Sequence, residues 1–491
     1  MKLVLDGHGY KYAVEQAMLM FYPGERPDYS TGSGEGEREG LSARVRISRG
    51  AVYATATTAI RAGGAAYYGR ARVRLSELEG ALISDRLLQA AVRRSFYAAA
   101  VAATGHRPVW GSLTGIRPAK TVARMLEGGA SLRAAGGALR RRYRVSPERA
   151  ELCLAASRAA ADVDCGLSRR DVMLYIGIPF CPTRCAYCTF VSSGTERSRG
   201  LIEPFLAALR AEMAAAARAV EALGLAVAAV YVGGGTPTVL SPEQLDGVLG
   251  HARSLFDLSQ AREVTVEAGR PDTITREKLD AMRRRGVTRV SVNPQSMSDA
   301  VLRAIGRAHT SRDVIRAFGE ARGAGFGDVN MDIIAGLPTD TPQGFAMTLD
   351  AVAALGPENI TVHTLALKKG SRIALDGTGV PDGNAVSEML DAAAGLLRGL
   401  GYSPYYLYRQ KFMSGGFENV GWSLPGHMGV YNVCMMEELR SVIGMGGGGV
   451  TKLVCRAGGR IERIFNPKYP LEYTKRIESI IEKKLSISLS L

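Results

Sequence analysis

At 491 residues, 46% apolar and 22% charged, the chain is long enough for a sizeable core and more than one domain, and its make-up is that of a globular protein. No run of eighteen apolar residues argues for a membrane span, and seven cysteines in so long a chain exclude a disulfide scaffold. The net charge of +15 gathers early, since residues 1–150 hold 24 Lys+Arg against 12 Asp+Glu. That balance suits nucleic acid or a substrate with several carboxylates, and equally an arginine-rich solvated helix face such as "RRRYR" at 140–144.

The opening "MKLVLDGHGYKYAVEQAMLMFYP" predicts a strand and a helix. Charges and aromatics interrupt its apolar stretch, so it does not read as a signal peptide, and the expected location is the cytoplasm. "GERPDYSTGSGEGEREG" (24–40) predicts a loop, and "ARVRISRGAVYATATTAI" with "AYYGRARVRL" predicts two or three strands. From about Ser76 to Asp164 the pattern is helical, with Pro118 suited to a helix start. Residues 1–165 thus read as a basic α+β N-terminal domain.

From Val172 a new rhythm begins. "VMLYIGI", "AVAAVYV", "EVTVEA", "VTRVSVN", "DVNMDIIAG" and "NITVHTLA" alternate with helical stretches. Six strands, each followed by a helix, predict an α/β fold with a parallel sheet, and an open partial barrel over residues 166–400 suits six units better than a closed eight-stranded one. Over 401–491 the rhythm stops. "YYLYRQKFMSGGFENVGWSLPG" reads as aromatic and irregular, "IGMGGGGVTKLV" as a glycine-rich turn, and "EYTKRIESIIEKKL" as a closing helix. The turn is not a phosphate loop, because Thr451 precedes Lys452.

In parallel β/α folds the active site gathers at the C-terminal ends of the strands. Strand one runs into Cys181, Cys185 and Cys188, and strand two into "GGGTP" (233–237), where glycines let backbone approach a ligand. Strand three ends at Glu267, strand four leads to Asn293 and Gln295, strand five carries Asp332, and strand six ends near His363 and Ala366. The cysteine trio has no fourth thiol close behind it. Zinc would want four ligands and survives as a reading through Cys165, whereas three thiolates on a cubane iron–sulfur cluster leave one iron open. S-adenosylmethionine (SAM) can fill that position. Cys153, Cys165, Cys434 and Cys455 otherwise read as buried structural thiols.

"YIGIPFCPTRCAYC", "YVGGGTPT", "VNPQSMSDAVLRAIGRAHT" and "NMDIIAGLPTDTP" together resemble the radical SAM superfamily, and within it the oxygen-independent coproporphyrinogen III dehydrogenases. "WGSLTGIRPAKTV" and "YYLYRQKFMSGGFENVGW" resemble the HemZ branch. The resemblance implies a [4Fe–4S] cluster on Cys181, Cys185 and Cys188, with one or two SAM molecules bound by Tyr175, Tyr187, Gly234, Gly235, Thr236, Glu267, Gln295, Arg307, Asp332, Ala366 and Val450. It implies conversion of two propionates of coproporphyrinogen III to vinyl groups in anaerobic haem biosynthesis, with an electron donor and acceptor it does not identify. The substrate's four carboxylates agree with the basic surface.

One departure bears on the substrate. Dehydrogenases of this family carry a fourth cysteine where this chain has Phe190, and relatives without it include proteins thought to carry haem. A haem-trafficking protein, with His363 or His427 as an axial ligand, is therefore the alternative. A radical enzyme acting on RNA is a third, although nucleic acid is not the expected partner.

Overall fold

The computed structural model describes residues 1–29, 40–188, 193–367, 371–373, 379–410, 416–455 and 460–487. Most of the loop expected at 24–40, and Phe190, lie outside the described residues. The chain divides into two compact units: Met1–Leu154 with Gly415–Phe417, and Ala155–Ser414 with Glu418–Leu491.

The N-terminal unit begins with β1 (Lys2–Asp6) and α1 (Lys11–Phe21), then β2 (Ser42–Arg49), β3 (Tyr53–Ala62) and β4 (Ala65–Arg74). These strands form one sheet in the order β1-β2-β3-β4, parallel at the first pair and antiparallel after it. Alternation puts Val45, Ala56, Ile60, Ala71 and Val73 on its buried face. Val14 and Met18 of α1 join them in one core with Val92, Phe96 and Ala99 of α2 (Ala81–Thr104). The shorter α3 (Ala119–Glu127) and α4 (Leu132–Arg142) follow; Pro118 stands at the N-cap of α3, and Ser131 caps α4 by accepting from Ala134 N–H. The division between the units falls within α5 (Pro147–Cys165).

In the second unit all six expected strands form: β5 (Asp171–Ile178), β8 (Ala226–Gly234), β9 (Glu263–Glu267), β10 (Arg289–Ser291), β11 (Asp328–Ala335) and β12 (Asn359–Thr364). They are parallel and lie in sequential order. Between β5 and β8 come the short pair β6 (Phe180–Cys181) and β7 (Ser193–Gly194), then α6 (Thr195–Ala222). The other crossovers are α7 (Pro242–Leu255), α8 (Arg276–Arg284), α9 (Asp299–Ala304) with α10 (Ser311–Gly323), and α11 (Pro342–Leu355). A capping box between Ser241 and Gln244 sets the start of α7. Helix α12 (Gly383–Gly399) follows β12.

The stretch read as irregular instead forms β13 (Ser403–Arg409) and β14 (Glu418–Ser423), paired antiparallel at the β12 edge. Every residue of β14 is buried, so no in–out alternation betrays it in the sequence. At the other edge, past α13 (Val430–Glu437), β15 (Val442–Gly446) pairs parallel with β5. Then β16 (Val450–Cys455) and β17 (Arg460–Phe465) extend the sheet antiparallel. The sheet of eleven strands ends on β13 and β17, so it is open, as a partial barrel requires.

The closing helix is broken at Arg476 into α14 (Pro470–Lys475) and α15 (Ile477–Leu485). Both pack on α6 around a buried network. There Glu212 accepts from Gly446 N–H at 2.7 Å, from the Tyr473 hydroxyl at 2.5 Å and from Asn466 Nδ2 at 2.8 Å. Lys484 Nζ lies 3.3 Å from the same carboxylate. Among the described residues no helix is long and apolar enough to cross a membrane.

Candidate active site

Strand register assembles the rim. Tyr175 of β5 pairs with Tyr231 of β8, and Gly177 and Ile178 with Gly233 and Gly234. Tyr231 pairs with Thr265, two residues before Glu267, and Glu267 pairs with Ser291. Period two therefore sets Tyr175, Tyr231 and Glu267 on one face. The chain then turns sharply at Gly234, whose φ of +109° is open to glycine alone. A Cβ on Gly235 would meet the Phe180 carbonyl, so backbone passes there where a side chain cannot. Thr236 is buried, with Oγ1 donating to Cys181 Sγ at 3.4 Å.

Cys181, Cys185 and Cys188 follow β5 on one loop, with Cys185 buried and the others half-buried. Cys188 N–H donates to the Cys185 carbonyl at 3.1 Å, and Ala186 N–H to the Ile305 carbonyl at 2.9 Å. Tyr187 packs against the apolar cluster of Leu302, Ile305, Ile334 and Leu337. Its hydroxyl accepts from Arg307 Nη2 at 2.8 Å. Among the described residues no three His, Cys, Asp or Glu converge as on a single metal ion, but thiolates on the corners of a cubane stand farther apart than the ligands of one ion.

Two carboxylates face the interior in different states. Burial pushes Glu267 up to about 7, with the nearby Asp332 charge adding to the rise, although it accepts a hydrogen bond from the Tyr231 hydroxyl. Burial pushes Asp332 up as well, but His363, with Nε2 at 3.6 Å, and hydrogen bonds from Asn330 and Thr361 together outweigh it and hold Asp332 below its ordinary value. Asn330 Nδ2 donates to Asp332 at 2.9 Å. Gln295 adopts a φ of +68°, and its backbone is stitched to β11 by Gln295 N–H to the Asp332 carbonyl and Ile334 N–H to the Gln295 carbonyl, both at 3.0 Å. Such a conformation costs roughly 1–3 kcal/mol and persists only where surroundings enforce it.

The structure thus gathers the thiol loop, Tyr175, Tyr187, Gly234, Gly235, Thr236, Glu267, Gln295, Arg307 and Asp332 about the C-terminal ends of the strands. Ala366 lies two residues beyond β12, at the same end. Val450 differs: it opens β16, two strands beyond β5, with its backbone against Gly444. Of the two histidines, His363 is at the rim, whereas His427 bonds Asp328 at 2.6 Å, at the N-terminal start of β11.

The Radical SAM superfamily profile matches residues 175–352, which hold all three cysteines and the glycine turn. The chain is 40% identical over 387 residues to the oxygen-independent coproporphyrinogen-III oxidase-like protein HemZ of Bacillus subtilis, covering 78% of this chain and 77% of that relative. The chain belongs to the radical SAM superfamily, in its HemN/HemZ-like family. The heme chaperone HemW of Mycobacterium tuberculosis (strain CDC 1551 / Oshkosh) is 33% identical over 238 residues, covering 47% of this chain and 60% of HemW. The coproporphyrinogen III oxidase HemN of Escherichia coli shares the fold, with a TM-score of 0.52 and 24% identity over 66% of this chain and 72% of HemN.

Radical SAM proteins carry a [4Fe–4S] cluster and SAM, and the rim fits both. Among the described residues the loop brings three thiols there and no fourth. Gln295 Oε1 and Arg307 Nε are buried with no hydrogen-bond partner, which leaves one acceptor and one donor for a ligand. Arg270, which the sequence reading missed, lies buried beside Cys185 with Nη1 at 3.8 Å from its sulfur and 2.9 Å from Thr183 Oγ1, while its other edge grips Asp272 at 2.8 and 2.9 Å. Its place three residues after Glu267 was the available signal. Tyr231 was also missed, although it alternates with Gly233 in the glycine motif; its ring stacks on Tyr431 at 4.5 Å between centroids, and Tyr175 lies 6.4 and 6.3 Å from the two. Tyr431 comes from α13, where no local pattern marks it.

Proposed function

We propose that this protein removes carbon dioxide oxidatively from two propionate side chains of coproporphyrinogen III, giving the vinyl groups of protoporphyrinogen IX. The observation that carries this reading is the joining of the three-cysteine loop and the glycine turn on one rim, in a chain 40% identical to HemZ over most of its length.

In this reading Cys181, Cys185 and Cys188 hold the cluster, and the Arg270 and Arg307 cations beside the loop offset the negative charge of the thiolates. The backbone of Gly234–Thr236, together with Gln295, Arg307, Glu267 and Asp332, binds and orients SAM; Asp332, held ionised, suits an ammonium group, and Glu267 suits ribose hydroxyls. Tyr175 and Tyr187 close the sides of that pocket. The chemistry that the bound cluster and SAM supply is abstraction of one hydrogen atom from each propionate. Loss of carbon dioxide and of one electron to an acceptor then leaves the alkene, so each vinyl group accounts for one hydrogen atom, one electron and one carbon dioxide. Ala366 and Val450 are assigned to SAM more distantly, as neighbours of the rim and of β15.

The match to HemW favours a second reading, haem carriage without decarboxylation. The deciding experiment incubates anaerobically reconstituted protein with reductant, SAM and coproporphyrinogen III, and follows 5′-deoxyadenosine and porphyrin by mass spectrometry. Deoxyadenosine with loss of two carbon dioxides from the porphyrin is the expected result. Deoxyadenosine with intact porphyrin, and stoichiometric haem binding, would move the assignment to haem carriage.

A further inference from the structure

The N-terminal unit holds a cavity of about 870 Å³. That volume lies within the roughly 300–1,000 Å³ of small-molecule sites. Eight of its seventeen lining residues are arginines and none is acidic. They come from separate elements: β4 supplies Arg70, α2 supplies Arg94, the loop after α2 supplies Arg107, and the end of α4 with the turn beyond it supplies Arg142 and Arg144.

None of the eight forms an ion pair among the described residues. Arg94 is half-buried with its Nε lacking any partner. Burial, and next the Arg142 charge, lower its pKa, so like charges are held together at a cost. The backbone adds to that cost, because Arg144 sits at a φ of +62°, where a non-glycine residue is strained by about 1–3 kcal/mol. Its turn is held there by Ser112 N–H donating to the Tyr143 carbonyl and Ser146 N–H to the Val109 carbonyl, both at 2.8 Å. Between the arginines the wall is apolar, with Ala71, Ala98, Val101, Val109 and Val145. Its one aromatic, Tyr97, is half-buried, which is poor provision for stacking successive bases of a single strand.

Cations crowded without counter-charge around an apolar floor match a ligand with an apolar body and several carboxylates. We propose that this cavity of the N-terminal unit binds a tetrapyrrole polycarboxylate through residues other than those of the cysteine rim. The choice of tetrapyrrole rests on the proposed function; the demand for a compact polyanion rests on the cavity alone. Arginine suits the task because its guanidinium meets a carboxylate through two parallel hydrogen bonds.

The test titrates full-length, cluster-reconstituted protein anaerobically with coproporphyrin III, followed by porphyrin fluorescence. Two variants are compared with the parent: R94Q/R142Q, and R70E/R140E at exposed positions that the core does not need. The expected result is coproporphyrin binding weakened about tenfold or more in each, with affinity in the parent falling as salt rises. SAM cleavage without porphyrin should stay unchanged. Parental affinity in both variants, with native circular dichroism, would overturn the site. So would displacement of the porphyrin by a single-stranded RNA oligonucleotide at concentrations below those at which the porphyrin binds. Arginine-dependent binding without decarboxylation would remove the proposed activity and keep the cavity, while decarboxylation with arginine-independent binding would do the reverse.

Discussion

Arg307 donates through Nη2 to the Tyr187 hydroxyl at 2.8 Å, tying the turn after α9 to the loop that carries the three cysteines across 120 residues of sequence. Burial alone would lower the pKa of Arg307, but Tyr187 and Cys185 more than compensate and hold it above its ordinary value. Arg307→Met removes both the charge and the hydrogen bond, and should weaken SAM binding about tenfold or more. Arg307→Lys keeps the charge without the planar fork and should recover part of that loss. Equilibrium dialysis with labelled SAM decides the matter, and parental affinity in the methionine variant would remove Arg307 from the site.

The cysteines divide by environment: of the four expected to be buried, Cys153 and Cys434 are, whereas Cys455 at the end of β16 is half-buried and Cys165 at the end of α5 is exposed. Cys181→Ala, Cys185→Ala and Cys188→Ala should each lose most of the bound iron and the visible absorbance of the reconstituted protein. Cys434→Ala should keep both, because that thiol is wholly buried in the core and burial pushes it up to about 12, far from a thiolate. Iron per chain is the readout.

Glu267 makes stability depend on pH in an unusual direction. Burial raises its carboxyl from 4.5 to about 7, so the folded chain holds this proton more tightly than the unfolded chain does. The stabilisation linked to the proton is full below pH 4.5 and is lost as pH rises through about 7. Glu267→Gln has no such proton and should gain on the parent by on the order of 2 kcal/mol between pH 4.5 and 8. Urea denaturation at both ends of that range tests it; a difference between the two proteins that stays flat with pH would show that the carboxyl titrates normally.

The pair formed by Lys484 and Glu212, both side chains with no exposure, anchors α15 to α6. Lys484→Met leaves Glu212 buried without its cation and should cost about 3–5 kcal/mol. Adding Glu212→Gln should restore part of it, since an amide oxygen in the place of Oε2 still accepts from Gly446 N–H and the Tyr473 hydroxyl. Because Gly446 N–H also ends on Glu212, the single variant should loosen the glycine turn between β15 and β16. Faster amide hydrogen exchange at 446–449 would register that change, and protected amides there would separate the turn from the pair.

Much of this protein is local. Six apolar runs spaced by helices determine a parallel α/β sheet, because strands covered on both faces need no alternation and crossovers need helices. The spacing of Cys181, Cys185 and Cys188, and the glycines after β8, mark the rim without reference to anything distant. Other features exist only once the chain has folded. Strands β13 and β14 hide because their aromatic and buried residues show no period, and β15 joins β5 although nearly 270 residues separate Tyr175 from its partner Gly444. Arg270 gains meaning from Cys185, 85 residues away, and Tyr431 from the stacked rings of Tyr175 and Tyr231. Along the chain, the arginines of "RRRYR" at 140–144 read equally as a solvated helix face and as part of a surface for a polyanion. Periodicity reports which face of an element is buried; which charges then share a cavity is set by the packing of elements far apart in sequence, and that is a property of the tertiary structure alone.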